Sequence, residues 1–326
     1  MKIYLAGAFG IKSILQYNLE KSKPSRTFAA YFPFWSELPE AQLLPAVGNI
    51  PDPEGILLVI NLNKKVWDFI QPRISQYKKK ILIQFEAKIV YELANEKAFE
   101  FDHFISFDRT QNSHPGFHQM FIPYNPHLAS SHLDKRGVKA LINQWRSSPR
   151  TFIDAYLFRA FPRKKKSALI ATLYPAPNYS IRKVIVDKWP NEIDVFGNGW
   201  QKSMPNYRGL VSSKVDILRR YRYCLVMENL RRTGYITEKL LDCFPSQTVP
   251  IYYGAPDIHD YPGLEWVPVI EDEQADIGGI IRNDDLYIAA RKEIISNRKK
   301  VYDLFSTERF ISMVCDVIRE CSKDNL

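Results

Sequence analysis

Short apolar runs alternate with longer stretches of helical spacing along most of the chain. Lys2 to Ala6, Ile56 to Leu62, Ile81 to Phe85 and His103 to Phe107 have the length and apolar content of buried strands. Between two of them, Val66 to Tyr77 repeats its apolar residues at helical intervals. Strand, helix and strand in succession are the rhythm of a parallel sheet. The rhythm breaks from Ser147 to Lys166, where two prolines and a basic cluster mark a connection between domains. It restarts with strands predicted at Ala168 to Thr172, Ile193 to Phe196, Cys224 to Met227, Val249 to Tyr253 and Val267 to Ile270. Helical spacing at Leu286 to Arg298 and Glu308 to Cys321 predicts closing helices that would cross back over the first domain. The pattern thus predicts an α/β protein of two similar domains, residues 1–150 and 151–326.

Composition narrows the class. With 45% hydrophobic and 25% charged residues the chain can bury cores and is not a disordered polymer. Its longest apolar runs fall well short of the roughly 18–20 residues of a membrane span. Lys2 before the apolar stretch Ile3 to Ile11 is superficially like a signal peptide, but only one basic residue precedes it and no clear cleavage region follows, so a first buried strand is predicted. Cys224, Cys243, Cys315 and Cys321 show no CxxC spacing, which argues against a disulfide scaffold or zinc site and for a reducing, cytoplasmic setting. Lysine and arginine outnumber acidic residues 45 to 36, so anionic partners are favoured. Nucleic acid, an anionic membrane surface and a nucleotide diphosphate would all be served.

Several chemistries are excluded by absence. There is no HExxH, no GxSxG and no Asp-x-Asp, so a diphosphate would be neutralised by organic cations instead of an aspartate-held metal. Gly197 to Ser203 (GNGWQKS) lacks the glycine before lysine of a phosphate loop and reads as a strand-ending turn. The most informative segment runs from Tyr223 to Gly254 (YCLVMENLRRTGYITEKLLDCFPSQTVPIYYG). A buried strand ending at Met227 delivers Glu228 and Asn229 to its carboxyl edge, where open α/β sheets bind ligands. Thr237 is a good N-cap for a helix from Glu238 to Phe244, whose first turn holds Glu238 and Lys239 beside free N–H groups that favour a phosphate. Spacing alone equally fits a capped helix with ordinary first-turn charges.

The stretch ENLRRTGYITEKLLDCFPSQTVPIYYGAPDIHDY resembles the donor-binding signature of the α-1,3/4-fucosyltransferases of glycosyltransferase family 10. SALIATLYPAPNYSIRK followed by IDVFGNG is similar to that family's upstream block, and ILIQFE, FDHFISFDR and MFIPYNP more weakly to its acceptor-side block. The resemblance implies a GT-B architecture of two facing Rossmann-like domains around a central cleft, the first binding acceptor and the second a GDP-sugar. It implies an inverting transfer of L-fucose from GDP-fucose to a hydroxyl of a galactose- or GlcNAc-containing glycan, with no obligatory metal or other cofactor. Carried onto matching positions, Arg182 and Lys239 bind the diphosphate, and Glu228, Asn229, Tyr235 and Glu238 complete the donor site. Glu86, at the end of the strand Ile81 to Phe85, aligns with the family's catalytic glutamate. The chain reads Glu86-Ala87-Lys88 where the family commonly has Glu-Ser-Pro, so Glu92, Glu96 and Asp108 stay open as alternatives. His114, His118, Tyr124 and His127 would line an acceptor pocket or lie on a surface loop.

With no anchor, stem or disulfide set in view, the expectation is a soluble enzyme of bacterial or viral type, cytoplasmic, with basic residues near Arg298 and Lys299 able to touch an anionic membrane. The alternatives are a transferase of another GDP-sugar and a basic nucleic-acid-binding module that keeps only the fold. Against the latter, aromatic and basic residues are not interleaved as such a surface requires.

Overall fold

The fold is taken from a computed structural model, which describes residues 1–7, 38, 41–85, 89–124, 163–171, 177–211 and 213–323. Contacts divide the chain into unit 1 (Met1–Pro123, Arg232–Tyr235 and Leu304–Leu326) and unit 2 (Tyr124–Arg231 and Ile236–Asp303). The expected connection from Ser147 to Lys166 lies outside the described residues up to 162.

Unit 1 carries a six-stranded parallel sheet: β1 (Lys2–Gly7), β2 (Gln42–Pro45), β3 (Ile56–Ile60), β4 (Lys79–Gln84), β5 (His103–Ser106) and β6 (Phe117–Gln119), in the order β2-β1-β3-β4-β5-β6. Every residue of β3 is buried, as a strand covered on both faces must be, which explains its unbroken apolar run. The N-terminal segment is indeed a buried strand, paired on both sides with β2 and β3. The edge strands β2 and β6 carry no strong apolar run, and neither was predicted. β2 is half exposed and ends in Pro45, and β6 has three half-buried residues.

The helix expected over Val66 to Tyr77 is α1 (Lys64–Ile70) followed by a 3-10 turn, Gln71–Gln76. Asn63 starts it by accepting the Val66 N–H at 2.9 Å, and Pro72, with no N–H to give, marks the change of helix type. Helix α2 (Ile89–Lys97) follows β4.

Unit 2 carries a four-stranded parallel sheet of β7 (Lys164–Ile170), β8 (Ile193–Phe196), β9 (Tyr221–Met227) and β10 (Val249–Tyr253), in the order β10-β9-β7-β8. Its helices are α3 (Pro177–Lys188), α4 (Lys214–Leu218), α5 (Glu238–Leu241), α6 (Cys243–Ser246), α7 (Ile277–Arg282), α8 (Asp284–Ser296) and α9 (Arg298–Leu304). Val267 to Ile270, predicted as a strand, makes only an isolated bridge to β10 at Val269, because Pro268 has no N–H for a longer ladder. The final helix, α10 (Thr307–Lys323), counts with unit 1. It buries Phe310, Val314 and Ile318 at helical intervals, and the Phe310 ring meets Phe85 edge-on at 5.2 Å.

The strand orders place the active edges. The chain reverses its direction of travel across the sheet between β1 and β3 in unit 1, and between β7 and β9 in unit 2. At such a point the connections diverge to either side and leave room for a ligand beyond the carboxyl ends. The α/β, GT-B-type reading of the sequence therefore puts the unit 2 site beyond Ile170 and Met227.

Unit 2 is pinned on its β8 side by Asp194. This carboxylate is 2% exposed and accepts from Arg208 Nη2 at 2.9 Å and Tyr221 Oη at 2.8 Å, with Lys166 Nζ at 3.4 Å and Lys164 Nζ at 3.6 Å. Burial alone would raise its pKa, but the Arg208 and Tyr221 hydrogen bonds and the Lys166 and Arg208 charges outweigh burial and hold it below the ordinary value. Among the described residues no helix is long and apolar enough to cross a membrane, and all four cysteines are free and buried. We expect Asp194→Asn to cost about 2–4 kcal/mol in urea unfolding at pH 7, because the buried site loses the charge and one of the two acceptors that Arg208 and the buried Tyr221 hydroxyl share. A depressed pKa stabilises only above the unfolded value, so the gap to wild type closes as pH falls below about 4.

Candidate functional site

The carboxyl end of β9 is held by a buried carboxylate. Glu228 follows Met227, its side chain is fully buried, and its N–H donates to the Tyr253 carbonyl at the end of β10. Glu228 Oε1 accepts the Thr237 N–H at 2.9 Å, and Oε2 accepts the Thr237 hydroxyl at 2.7 Å. Lys239 Nζ stands 3.4 Å from the same Oε2 and 3.1 Å from Thr237 Oγ1. Burial raises the Glu228 pKa, with Lys239 and the Thr237 hydrogen bonds opposing it. One carboxylate thus ties the strand end to the start of α5, nine residues on.

Gly254 makes room for this arrangement. A Cβ there would lie 2.3 Å from Tyr252 Oη and 2.7 Å from Glu228 Cγ, so close approach explains the glycine. Tyr252 is buried, and its hydroxyl accepts the Ala255 N–H at 3.0 Å.

Arg182, on α3, is 2% exposed. Its Nη2 donates to the Met227 carbonyl at 2.7 Å, to Asn229 Oδ1 at 3.0 Å and to the Glu228 carbonyl at 3.3 Å. The guanidinium therefore clamps the residues that leave β9, and Asn229 is held by the same group. Arg231 turns to Glu271, pairing with its carboxylate and donating to its carbonyl, and lies over the Tyr253 ring. Arg232 and Tyr235 count with unit 1, where Arg232 Nε donates to Asp108 Oδ2 at 2.9 Å and the Tyr235 ring packs on Phe107 at 5.1 Å.

Thr237 is the N-cap expected of it. The helix it starts is shorter than predicted: α5 has four residues, breaks at Asp242 and resumes as α6, which ends at the left-handed Gln247. A single turn carries little macrodipole, so cationic side chains dominate the local charge. Glu238 is half exposed, with Lys239 Nζ at 3.5 Å and Lys214 Nζ at 3.4 Å. Lys214 also reaches the buried Asp242 at 3.4 Å, and Tyr124 Oη donates to Asp242 at 3.0 Å. A small pocket lies here, lined by Lys214, Lys239, Asp242 and the ends of β7 and β9 at Ile170 and Met227. The structure thus gathers Arg182, Glu228, Asn229, Glu238 and Lys239 at the switch edge of unit 2, and adds Lys214, Asp242 and Tyr124. No motif announces these three; Lys214 lies on a five-residue helix and meets its partners only through the fold.

Glu86 lies outside the described residues, as do His127 and the side chain of Glu92. Phe85, just before Glu86, is fixed by its N–H to Asn61 Oδ1 at 2.8 Å and by Phe310. Asn61 itself is buried in the left-handed region at φ 55°, a conformation asparagine tolerates better than most residues. Asp108 is buried and accepts from Thr110 N, Thr110 Oγ1 and Arg232, which makes it a structural carboxylate. Glu96 is exposed and paired with Lys97. His114 sits on the loop before β6 with its side chain turned into the protein and buried, its Nδ1 accepting from Gly116 N and its Nε2 donating to the Ala98 and Phe101 carbonyls. His118 pairs with His103 at 3.1 Å. Among the described residues no cluster of three or more His, Cys, Asp or Glu side chains could hold a metal ion.

Two wholly parallel α/β sheets, with a charged cluster at the switch edge of the second, define a fold of the GT-B glycosyltransferase type. Residues 164–268 match glycosyltransferase family 10 (fucosyltransferase), C-terminal part, which takes in β7 to β10 and the whole cluster around Glu228. The chain is 35% identical over 82 residues to the α-(1,3)-fucosyltransferase FucT of Helicobacter pylori, a match covering 25% of this chain and 17% of that protein. It spans well under two thirds of that relative. A crystal structure of an α1,3-fucosyltransferase with GDP superposes with a TM-score of 0.61 at 18% identity, covering 100% of this chain and 91% of the other. One with GDP-fucose gives 0.57 at 18% identity over 89% and 81%. These likenesses confirm the fold and the resemblance read from the signature.

Thr237→Val removes a hydroxyl that serves both Glu228 and Lys239. We expect a loss of about 1–3 kcal/mol in urea unfolding, most of it restored by Thr237→Ser. Equal stability of the two variants would show that the hydroxyl does not hold the edge.

Proposed function

We propose that the chain is an inverting glycosyltransferase that moves L-fucose from GDP-fucose to a hydroxyl of a galactose- or GlcNAc-containing glycan. The observation that carries the reading is the Glu228–Thr237–Lys239 knot at the switch edge of unit 2, inside the segment matched to family 10. The FucT relative and the neighbour bound to GDP-fucose supply the donor. Unit 2 takes the nucleotide and unit 1 the acceptor.

The chemistry needs a charge sink for the departing diphosphate and a base for the acceptor hydroxyl. Lys239 is the sink: it stays protonated because Glu228 and Glu238 outweigh the burial that would lower its pKa. Its contact with the half-exposed Glu238 is the longest of its three and the one a diphosphate would replace first. Arg182 acts from below by fixing Glu228 and Asn229, and Glu238 accepts hydrogen bonds from donor hydroxyls. Glu86 removes the acceptor proton as the hydroxyl attacks the anomeric carbon from the face opposite the leaving GDP. No metal is required for these steps, since organic cations neutralise the diphosphate.

Calorimetric titration should show GDP binding without added metal, GDP preferred over UDP and ADP, and a loss of at least tenfold in Lys239→Ala. Glu86→Gln should bind GDP-fucose as wild type does and lose 100-fold or more in turnover, on the order expected for removal of a general base. Transfer from GDP-mannose at the rate of GDP-fucose would move the donor assignment to another GDP-sugar.

A further inference from the structure

Lys214 stands at the start of α4, where Ser213 accepts the Asp216 N–H. Twenty-four residues separate it from Glu238, yet its ammonium lies 3.4 Å from Glu238 Oε1 and 3.4 Å from Asp242 Oδ2. The two carboxylates differ in setting. Glu238 is half exposed at the mouth of the edge, whereas Asp242 is buried and held from behind by the Tyr124 hydroxyl at 3.0 Å. An ion pair at the surface contributes little to stability, about 0–1 kcal/mol, so the pair with Glu238 is not explained by folding. What the arrangement does is tether an outward-facing carboxylate to the interior through Tyr124, Asp242 and Lys214.

We propose that Lys214 is a positioning residue of the donor site, which holds the Glu238 carboxylate in place for a hydroxyl of the sugar nucleotide and is itself held by Asp242 and Tyr124. The inference rests on the donor-site reading of unit 2. Lys239 alone would leave Glu238 free to swing, since both sit on the same single turn. Lys214 approaches from another element and fixes the second direction. The charged and polar groups facing Glu238 are Lys239, Lys214, Thr237, Glu228 and Asp242. Desolvation would raise the Glu238 pKa, but the Lys239 and Lys214 charges and the Thr237 and Lys214 hydrogen bonds outweigh it and push it below its ordinary value. The burial that would lower the Lys214 pKa is likewise outweighed by Glu238 and Asp242. Without Lys214 the carboxyl would protonate at higher pH, so donor binding would fail at higher pH on the acid side.

The test is calorimetric titration of GDP-fucose between pH 3 and 8 with wild type, Lys214→Met and Lys214→Arg, and with Lys214→Met placed on Glu238→Gln. We expect Lys214→Met to bind about tenfold more weakly at pH 7 and to lose affinity about one pH unit earlier on acidification. Lys214→Arg should stay within about threefold of wild type, as a conservative cation allows. On the Glu238→Gln background the methionine substitution should cost nothing more. A folded Lys214→Met with the wild-type pH profile, or one that loses the same affinity with and without the Glu238 carboxylate, overturns the inference. If Lys214→Met does not fold, Tyr124→Phe tests the same tether from its far end: a smaller loss in the same direction supports it, and an unchanged profile overturns it. Failure of wild type to bind either GDP-fucose or GDP overturns the donor-site reading and this inference together, whereas wild-type binding with unaffected variants overturns this inference alone.

Discussion

Everything at the switch edge of unit 2 depends on a buried carboxylate with three donors around it. Glu228 leaves β9 where the strand would otherwise present bare backbone, and it takes the Thr237 amide, the Thr237 hydroxyl and the Lys239 ammonium. An unpaired carboxylate at this depth would cost several kcal/mol, so its partners are obligatory. The constraint spreads outward from there. Gly254 has no side chain because Glu228 and Tyr252 fill the space, and Arg182 is buried because it holds the two carbonyls and the amide that follow the strand.

Charge balance within the edge has a functional meaning. Glu228, Glu238 and Asp242 face Lys214, Lys239 and Arg182, so the cluster is close to neutral before a ligand arrives. Neutrality lets cations be stored near the ends of β7 and β9 without mutual repulsion. The carboxylates keep the lysines protonated, and the loosest contact, that of Lys239 with Glu238, is the one nearest solvent. On the proposed donor-site reading, a diphosphate would replace a weak carboxylate contact with a stronger one, at little cost in rearrangement.

Much of this was legible in the sequence, for physical reasons that differ by element. β3, β8 and β10 were read within a residue or two because strands buried on both faces are written as continuous apolar runs. Edge strands β2 and β6 escaped because one side faces solvent and their composition carries no such mark. The Thr237 cap was readable from its local hydrogen bond, whereas the break after Leu241 was not, since Asp242 is drawn inward by Tyr124 and Lys214 from distant segments. Motif resemblance pointed to Arg182, Glu228, Asn229, Glu238 and Lys239, which the fold brings together, and to Tyr235, which counts with unit 1. It missed Lys214, whose part is defined only by where α4 comes to rest.

The most direct test of the account is amide hydrogen exchange across residues 228–242, followed with saturating GDP and, separately, UDP. If the Glu228 knot presents Lys239 to a guanosine diphosphate, GDP slows exchange in this segment and UDP does so far less. Equal protection by both nucleotides, or none by either, would contradict it.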